Sequence, residues 1–159
     1  MKRRELFSSL VSSFKKDEKQ EKIIRPPYFK DEDIFFTNCK DCEGLCATVC
    51  EENIIFIQED CTPKLDFTSS GCTYCDKCAE VCPNEVLSIE DKKRIDVKIE
   101  IDVLSCLSWN KTMCFSCKDP CLDNAIDFLG MFRPSINDSC TSCGFCIKTC
   151  PTNAIKIVR

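Results

Sequence analysis

Sixteen of the chain's 17 cysteines fall into four groups of four. The first is Cys39-x2-Cys42-x3-Cys46-x3-Cys50, and the second is Cys72-x2-Cys75-x2-Cys78-x3-Cys82, followed by Pro83. The third, Cys106-x7-Cys114-x2-Cys117-x3-Cys121, has a longer gap. The fourth, Cys140-x2-Cys143-x2-Cys146-x3-Cys150, again precedes a proline, Pro151. Thiolates are soft metal ligands, and the regular spacing, with its terminal proline, is the one that wraps a [4Fe–4S] cube. Three thiolates sit on a tight loop whose backbone N–H groups can point at sulfur and tune the cube's potential. The fourth follows one helical turn later, where proline ends the turn and redirects the chain. In two-cluster ferredoxins this fourth cysteine ligates the neighbouring cube.

Competing chemistries fit poorly. Zinc ribbons use two Cys pairs separated by a long loop and converging on one ion. Four ligands within the eleven residues from Cys72 to Cys82, in a pattern repeated along the chain, do not match that. Histidine is absent, which excludes a Rieske centre, His-ligated haem, a Cys/His zinc finger and Ser-His or Cys-His catalysis. A radical-type Cys-x3-Cys-x2-Cys site would need cysteine at Asn53, Glu85, Asn124 or Asn153. Each group instead supplies four ligands, leaving no iron open to substrate, and there is no candidate acid–base pair. The expectation is outer-sphere transfer of single electrons and no enzymatic activity.

Two groups depart from the ideal. The first has an extra residue between its second and third cysteines and Glu51 in place of proline. The third is the least regular, with the insertion Leu107–Met113 and Leu122 instead of proline. Three or four clusters are therefore expected, the third being weakly held or substitutable. Cys61 stands alone as a free thiol.

The elements that position these ligands repeat with them. Four residues after each last cysteine comes Ile54, Val86, Ala125 or Ala154. Five after comes Ile55, Leu87, Ile126 or Ile155, and seven after comes Ile57, Ile89, Phe128 or Ile157. Alternation of the +5 and +7 positions predicts a short half-buried strand. Before each first cysteine, Ile34–Phe36, Leu65–Phe67, Ile99–Leu104 and Ile136–Asn137 read as strands too. Each unit is then strand, cluster loop, helical turn, strand. The fold class is a small α+β protein of tandem bacterial-type ferredoxin repeats, at about 31–60, 61–92, 95–130 and 131–159. Units this small cannot bury a useful core, so metal ligation is expected to supply much of the folding free energy.

Residues 1–30 read as a charged N-terminal arm and linker. Arg3-Arg4 begins like a twin-arginine export signal, yet Leu6–Phe14 is short and serine-rich and no cleavage site comes after it. A short amphipathic helix and a charged, mobile linker up to Pro26-Pro27 are expected instead. No stretch approaches the ~18 apolar residues of a membrane span. The odd cysteine count argues against a disulfide framework, and thiolate ligands suit a reducing compartment. The formal charge of −4 would fall to about −12 with four cubes of about −2 each. That disfavours nucleic acid and favours a partner with a basic docking face.

The chain resembles the NapF-type ferredoxins, accessory proteins of the periplasmic nitrate reductase system. The resemblance rests on the twin-arginine-like start, Arg25-Pro26-Pro27-Tyr28-Phe29, the regular groups at Cys72 and Cys140, and the deviant group at Cys39. It rests above all on the third unit, Cys106-Leu107-Ser108-Trp109 continuing to Cys114-Phe115-Ser116-Cys117 and Cys121-Leu122-Asp123-Asn124-Ala125-Ile126. The resemblance implies a cytoplasmic protein that contacts the catalytic subunit of the reductase before export, assembling that subunit's own cluster or setting its redox state. The alternative is an electron-transfer subunit linking a quinol-oxidising or other redox complex to a terminal reductase. Two pairings of the groups are open. One joins first with second and third with fourth; the other nests first with fourth around second with third. Nesting is preferred, because the irregular third group then matches the inner partner in polyferredoxin subunits of related reductases.

Overall fold

The computed structural model describes residues 23–158. The expected N-terminal helix and the twin-arginine-like start lie outside the described residues. The elements are α1 (Asp33–Asn38), α2 (Leu45–Thr48), β1 (Ile55–Ile57), β2 (Pro63–Leu65), α3 (Lys77–Glu80), β3 (Lys98–Ile101), β4 (Ile126–Leu129), β5 (Phe132–Ile136), α4 (Phe145–Thr149) and β6 (Ile155–Val158), with a 3₁₀ turn at Ile89–Asp91. The strands form three antiparallel pairs, β1–β2, β3–β6 and β4–β5. Two of these are hairpins joining consecutive cysteine groups: Ile55 faces Leu65 in one, and Ile126 faces Ile136 in the other. The third pair closes the C-terminal half by setting Ile99 opposite Ile157.

The N-terminal half is closed differently. Its counterpart of β3 is Ile24–Phe29, whose two prolines have no N–H and so cannot contribute to a regular ladder. The segment accepts instead: Leu65 N–H bonds the carbonyl of Ile24 (2.7 Å), Lys93 that of Pro27 (2.8 Å) and Ser88 that of Tyr28 (2.7 Å). This corrects the reading of residues up to 30 as arm and linker, since Ile24 through Phe29 are all buried. Ile24, Tyr28 and Phe29 join Phe35, Ile54, Leu65 and Phe67 in the larger of the two cores. The C-terminal core is small, built on Ile99, Cys117, Ile126, Cys146 and Ile155.

Two further expectations change. Ile34–Phe36 lies within a helix, α1, because no partner strand is available where the proline segment runs. Leu87–Ile89 leads into a 3₁₀ turn capped by the Ser88 hydroxyl, which accepts from Glu90 N–H. The burial period is also shifted. The +4 and +5 residues are buried in all four units, whereas Ile57 and Ile89 at +7 are exposed. The reason is a residue in the left-handed region at +3 in every unit: Asn53, Glu85, Asn124 and Asn153, with φ of 49–52°. Asparagine tolerates that region best, and three of the four units use it. The left-handed residue turns its own N–H back to the carbonyl of the fourth cysteine and drives the next two side chains inward.

Candidate metal centres

The first three cysteines of each group lie on a loop curled by left-handed residues. Gly44, Asp76 and Gly144 occupy that conformation immediately before α2, α3 and α4. Tyr74 and Ser142, two residues after the first cysteines of their groups, share it. Such turns aim successive N–H groups into a concavity suited to an anion. Tyr74 N–H accordingly donates to the sulfur of Cys72 at 3.4 Å.

The fourth cysteine of each group reaches the neighbouring loop. Cys50 lines a cavity with Cys72, Cys75 and Cys78, of about 410 Å³ empty volume. Cys121 lines another with Cys140, Cys143 and Cys146, and Cys150 lines one with Cys106, Cys114 and Cys117, each about 330 Å³. Around Cys39 and Cys46, the neighbouring thiol charges are those of Cys42 and Cys82. The sixteen predicted cysteines thus gather into four sets, each with three from one group and the fourth from its sequence neighbour. The nested pairing is corrected to adjacency. The hairpins β1–β2 and β4–β5 are so short that consecutive groups must fold onto each other. Cys61 joins none of these sets.

The donor sets suit a cubane. Among the described residues, no three Cys, Asp or Glu side chains converge where a single ion would sit. A cube needs its sulfurs set back around a cavity, whereas zinc needs four within about 2.3 Å. N–H groups already aim at the fourth cysteines of three groups: Leu87 to Cys82 (3.4 Å), Ala125 to Cys121 (3.2 Å) and Ala154 to Cys150 (3.2 Å).

The long insertion does not displace Cys106 from its set. The side-chain amide of Asn110 donates to the carbonyls of Val103 (3.3 Å), Leu104 (3.1 Å) and Cys106 (2.8 Å), folding the loop into a compact turn. Trp109 Nε1 donates to Pro134 on β5 at 3.0 Å, and Ser108 is buried beneath. Asn110 was not singled out from the sequence; an amide inside a loop carries no signal until its three acceptors are placed.

Burial pushes the thiols up: Cys39, Cys46, Cys72 and Cys117 to about 11, and Cys78 and Cys146 to about 12. Cys150 is the exception. Burial opposes its anion, but N–H donors from Thr152, Ala154 and Ile155 outweigh it and hold the thiol below its usual value.

The second and fourth groups meet at the junction of the two halves. Cys72 N–H donates to the carbonyl of Cys143 at 2.7 Å. Gly71 has no room for a Cβ, which would lie 2.7 Å from that carbonyl and 2.5 Å from Phe145 N. Gly144 is equally tight against the ring of Phe67. The Tyr74 hydroxyl donates to Thr141 (2.5 Å) and accepts from Ile95 N–H (3.1 Å), and the Ser142 hydroxyl donates to Val97 (2.6 Å).

The sequence matches the 4Fe-4S binding domain family at residues 67–88 and 135–156, which contain the second and fourth groups. It is 34% identical over 137 residues to the ferredoxin-type protein NapF of Escherichia coli K12, covering 83% of this chain and 82% of that one. To the ferredoxin-type protein NapF of Haemophilus influenzae it is 37% identical over 155 residues, covering 94% and 87%. The ferredoxin-type protein NapG of Escherichia coli K12 matches at 28% over 162 residues, covering 85% and 70%. The fold is therefore of the 4Fe-4S ferredoxin type, and the chain is an iron–sulfur electron carrier. No helix among the described residues is long and apolar enough to cross a membrane.

Proposed function

The chain belongs to the NapF family of ferredoxin-type proteins, and from that premise we propose that its sixteen grouped cysteines hold four [4Fe–4S] clusters, exchanged pairwise within each half. The sets are Cys39, Cys42, Cys46 with Cys82; Cys72, Cys75, Cys78 with Cys50; Cys106, Cys114, Cys117 with Cys150; and Cys140, Cys143, Cys146 with Cys121. The observation that carries this is the lining of single cavities, in three of the four sets, by three cysteines of one group and the fourth of its neighbour, with Cys82 likewise beside Cys39 and Cys46 in the first. When bound, the cubes supply reversible one-electron chemistry. The chain's own part is to hold them: its thiolates ligate, its N–H groups stabilise the reduced charge, and its loops exclude water. With small cores, the clusters supply much of the stability.

The role that fits is a cytoplasmic accessory acting on the catalytic subunit of periplasmic nitrate reductase before export, with no substrate chemistry of its own. The family membership and the acidic holo-protein, matched to a basic docking face, support it. Anaerobic purification with iron and sulfide counting tests the centres: about 16 irons per chain is expected, and about 12 would remove one site. Co-purification with the reductase catalytic subunit from cells blocked in export tests the role. Failure to bind while a membrane quinol-oxidising complex is retained would favour the electron-transfer alternative.

A further inference from the structure

Arg25 is a buried guanidinium, 5% exposed, in the core of the N-terminal half. Its Nη1 donates to two neutral oxygens, the Thr62 hydroxyl (2.8 Å) and the Pro63 carbonyl (2.7 Å). Its Nε is buried and has no hydrogen-bond partner. The guanidinium stacks over Phe35 at 4.8 Å and over Phe36 at 5.6 Å. Phe35 is the residue whose carbonyl accepts the N–H of Cys39 (3.2 Å), so the cation lies one side chain from the loop that starts the first set. Two carboxylates lie near it: Glu32, which lines a cavity together with it, and Asp60, which is occupied otherwise, accepting from Thr62 N–H (3.0 Å) and from the Thr62 hydroxyl (2.7 Å).

Among the described residues no carboxylate bonds this cation directly; burying it so is costly, and a purely structural role at this position would be served by an apolar residue. We propose that Arg25 sets the reduction potential of the first site (Cys39, Cys42, Cys46 and Cys82), making it the most readily reduced of the four. This rests on the four ligand sets of the proposed function. Reduction adds negative charge to a cube, and a fixed positive charge in a low-dielectric surrounding favours it beyond the reach of salt screening.

Among the described residues, the other three sites lack this arrangement. Lys77 lines the second cavity but is exposed and ion-paired with Glu51. No charged side chain lines the third. The fourth is lined by a carboxylate, Asp123, which accepts from the Thr141 hydroxyl at 2.6 Å. Electrons delivered to the chain would therefore collect at the end carrying Arg25.

The test is an anaerobic redox titration read by electron paramagnetic resonance on the iron-loaded full chain. The first site's signal is assigned as the one altered in Cys42→Ser. Arg25→Met should lower the electron affinity of that signal about tenfold, ~59 mV for one electron, with the other signals unmoved. Arg25→Lys should restore most of the shift. Asp60→Asn, which keeps an acceptor for Thr62, should move the same signal the opposite way, and it serves if Arg25→Met loses iron. Unchanged midpoints in Arg25→Met at full iron content, or in Asp60→Asn, would overturn the proposal. A wild-type chain of about 12 irons with no signal altered by Cys42→Ser would instead remove the first ligand set on which the proposal rests.

Discussion

The two halves repeat one plan, two cysteine groups joined by a short hairpin, yet they are held together by different means. The N-terminal half encloses Tyr28, Phe35, Ile54 and Thr62, each almost inaccessible to water. Its proline segment fills the place of a strand. The C-terminal half has a true closing pair, β3–β6, over a core of only five buried residues. It also leaves Leu104, Leu122 and Leu129 more than 70% exposed. A hydrogen-bonded closure does not substitute for buried apolar area. The better-packed half should need its metal less.

Chelating iron anaerobically should produce the largest separation between the halves. Amides of β3, β4, β5 and β6 should exchange freely, while protection survives around Tyr28, Phe35 and Leu65. Hydrogen exchange read by mass spectrometry checks this, and equal loss in both halves would contradict the comparison. Next in size is Cys114→Ser combined with Cys117→Ser. Iron should fall by about four per chain and nitrate reductase assembly should decline. An unchanged iron count would remove the third set from the proposed scheme.

Packing variants sharpen the contrast. Phe35→Ala should cost about 3–5 kcal/mol in thermal unfolding of the loaded protein, the usual loss for a fully buried aromatic. Leu129→Ala, on the exposed end of β4, should stay within about 0.5 kcal/mol. Asn110→Ala releases the carbonyls of Val103 and Leu104 at about 1 kcal/mol or less each, since they are partly solvated, while that of Cys106 keeps the backbone N–H of residue 110. It should mainly speed loss of iron from the third site, measured as bleaching under chelator. The smallest effect is on protons. In the better-packed half, burial pushes Cys39, Cys46 and Cys72 up to about 11 and Cys78 up to about 12, so reconstitution near pH 8 should release about one proton from each of these thiols. A weakly buffered reconstitution should acidify.

Much of the architecture was legible in the cysteines and in the apolar residues just beyond each group. The hairpin strands β1 and β4, and β6 after the last group, fall where the +5 to +7 positions put them. The failures have a common cause. Ile34–Phe36 carries strand-like residues, but strand formation needs a partner edge, and the prolines at 26 and 27 leave none. Leu87 and Ile89 alternate properly yet face the same proline segment and turn away. The segment Ile24–Phe29 looked like linker because arginine and two prolines are loop residues by composition. Its burial depends on Phe35, Leu65 and Ser88, all of them later in the chain and the last two far from it in sequence.

By itself the sequence determined the grouping of the cysteines in fours and the 4Fe-4S chemistry that grouping suits, because cluster chemistry depends on local spacing within a loop and one helical turn. The tertiary structure decided which fourth cysteine joins which loop, that the second and fourth groups meet through Cys72 and Cys143, and that Arg25 lies buried beside the first set. Those are distances between residues far apart in the chain, fixed by how short hairpins fold back and by which faces pack.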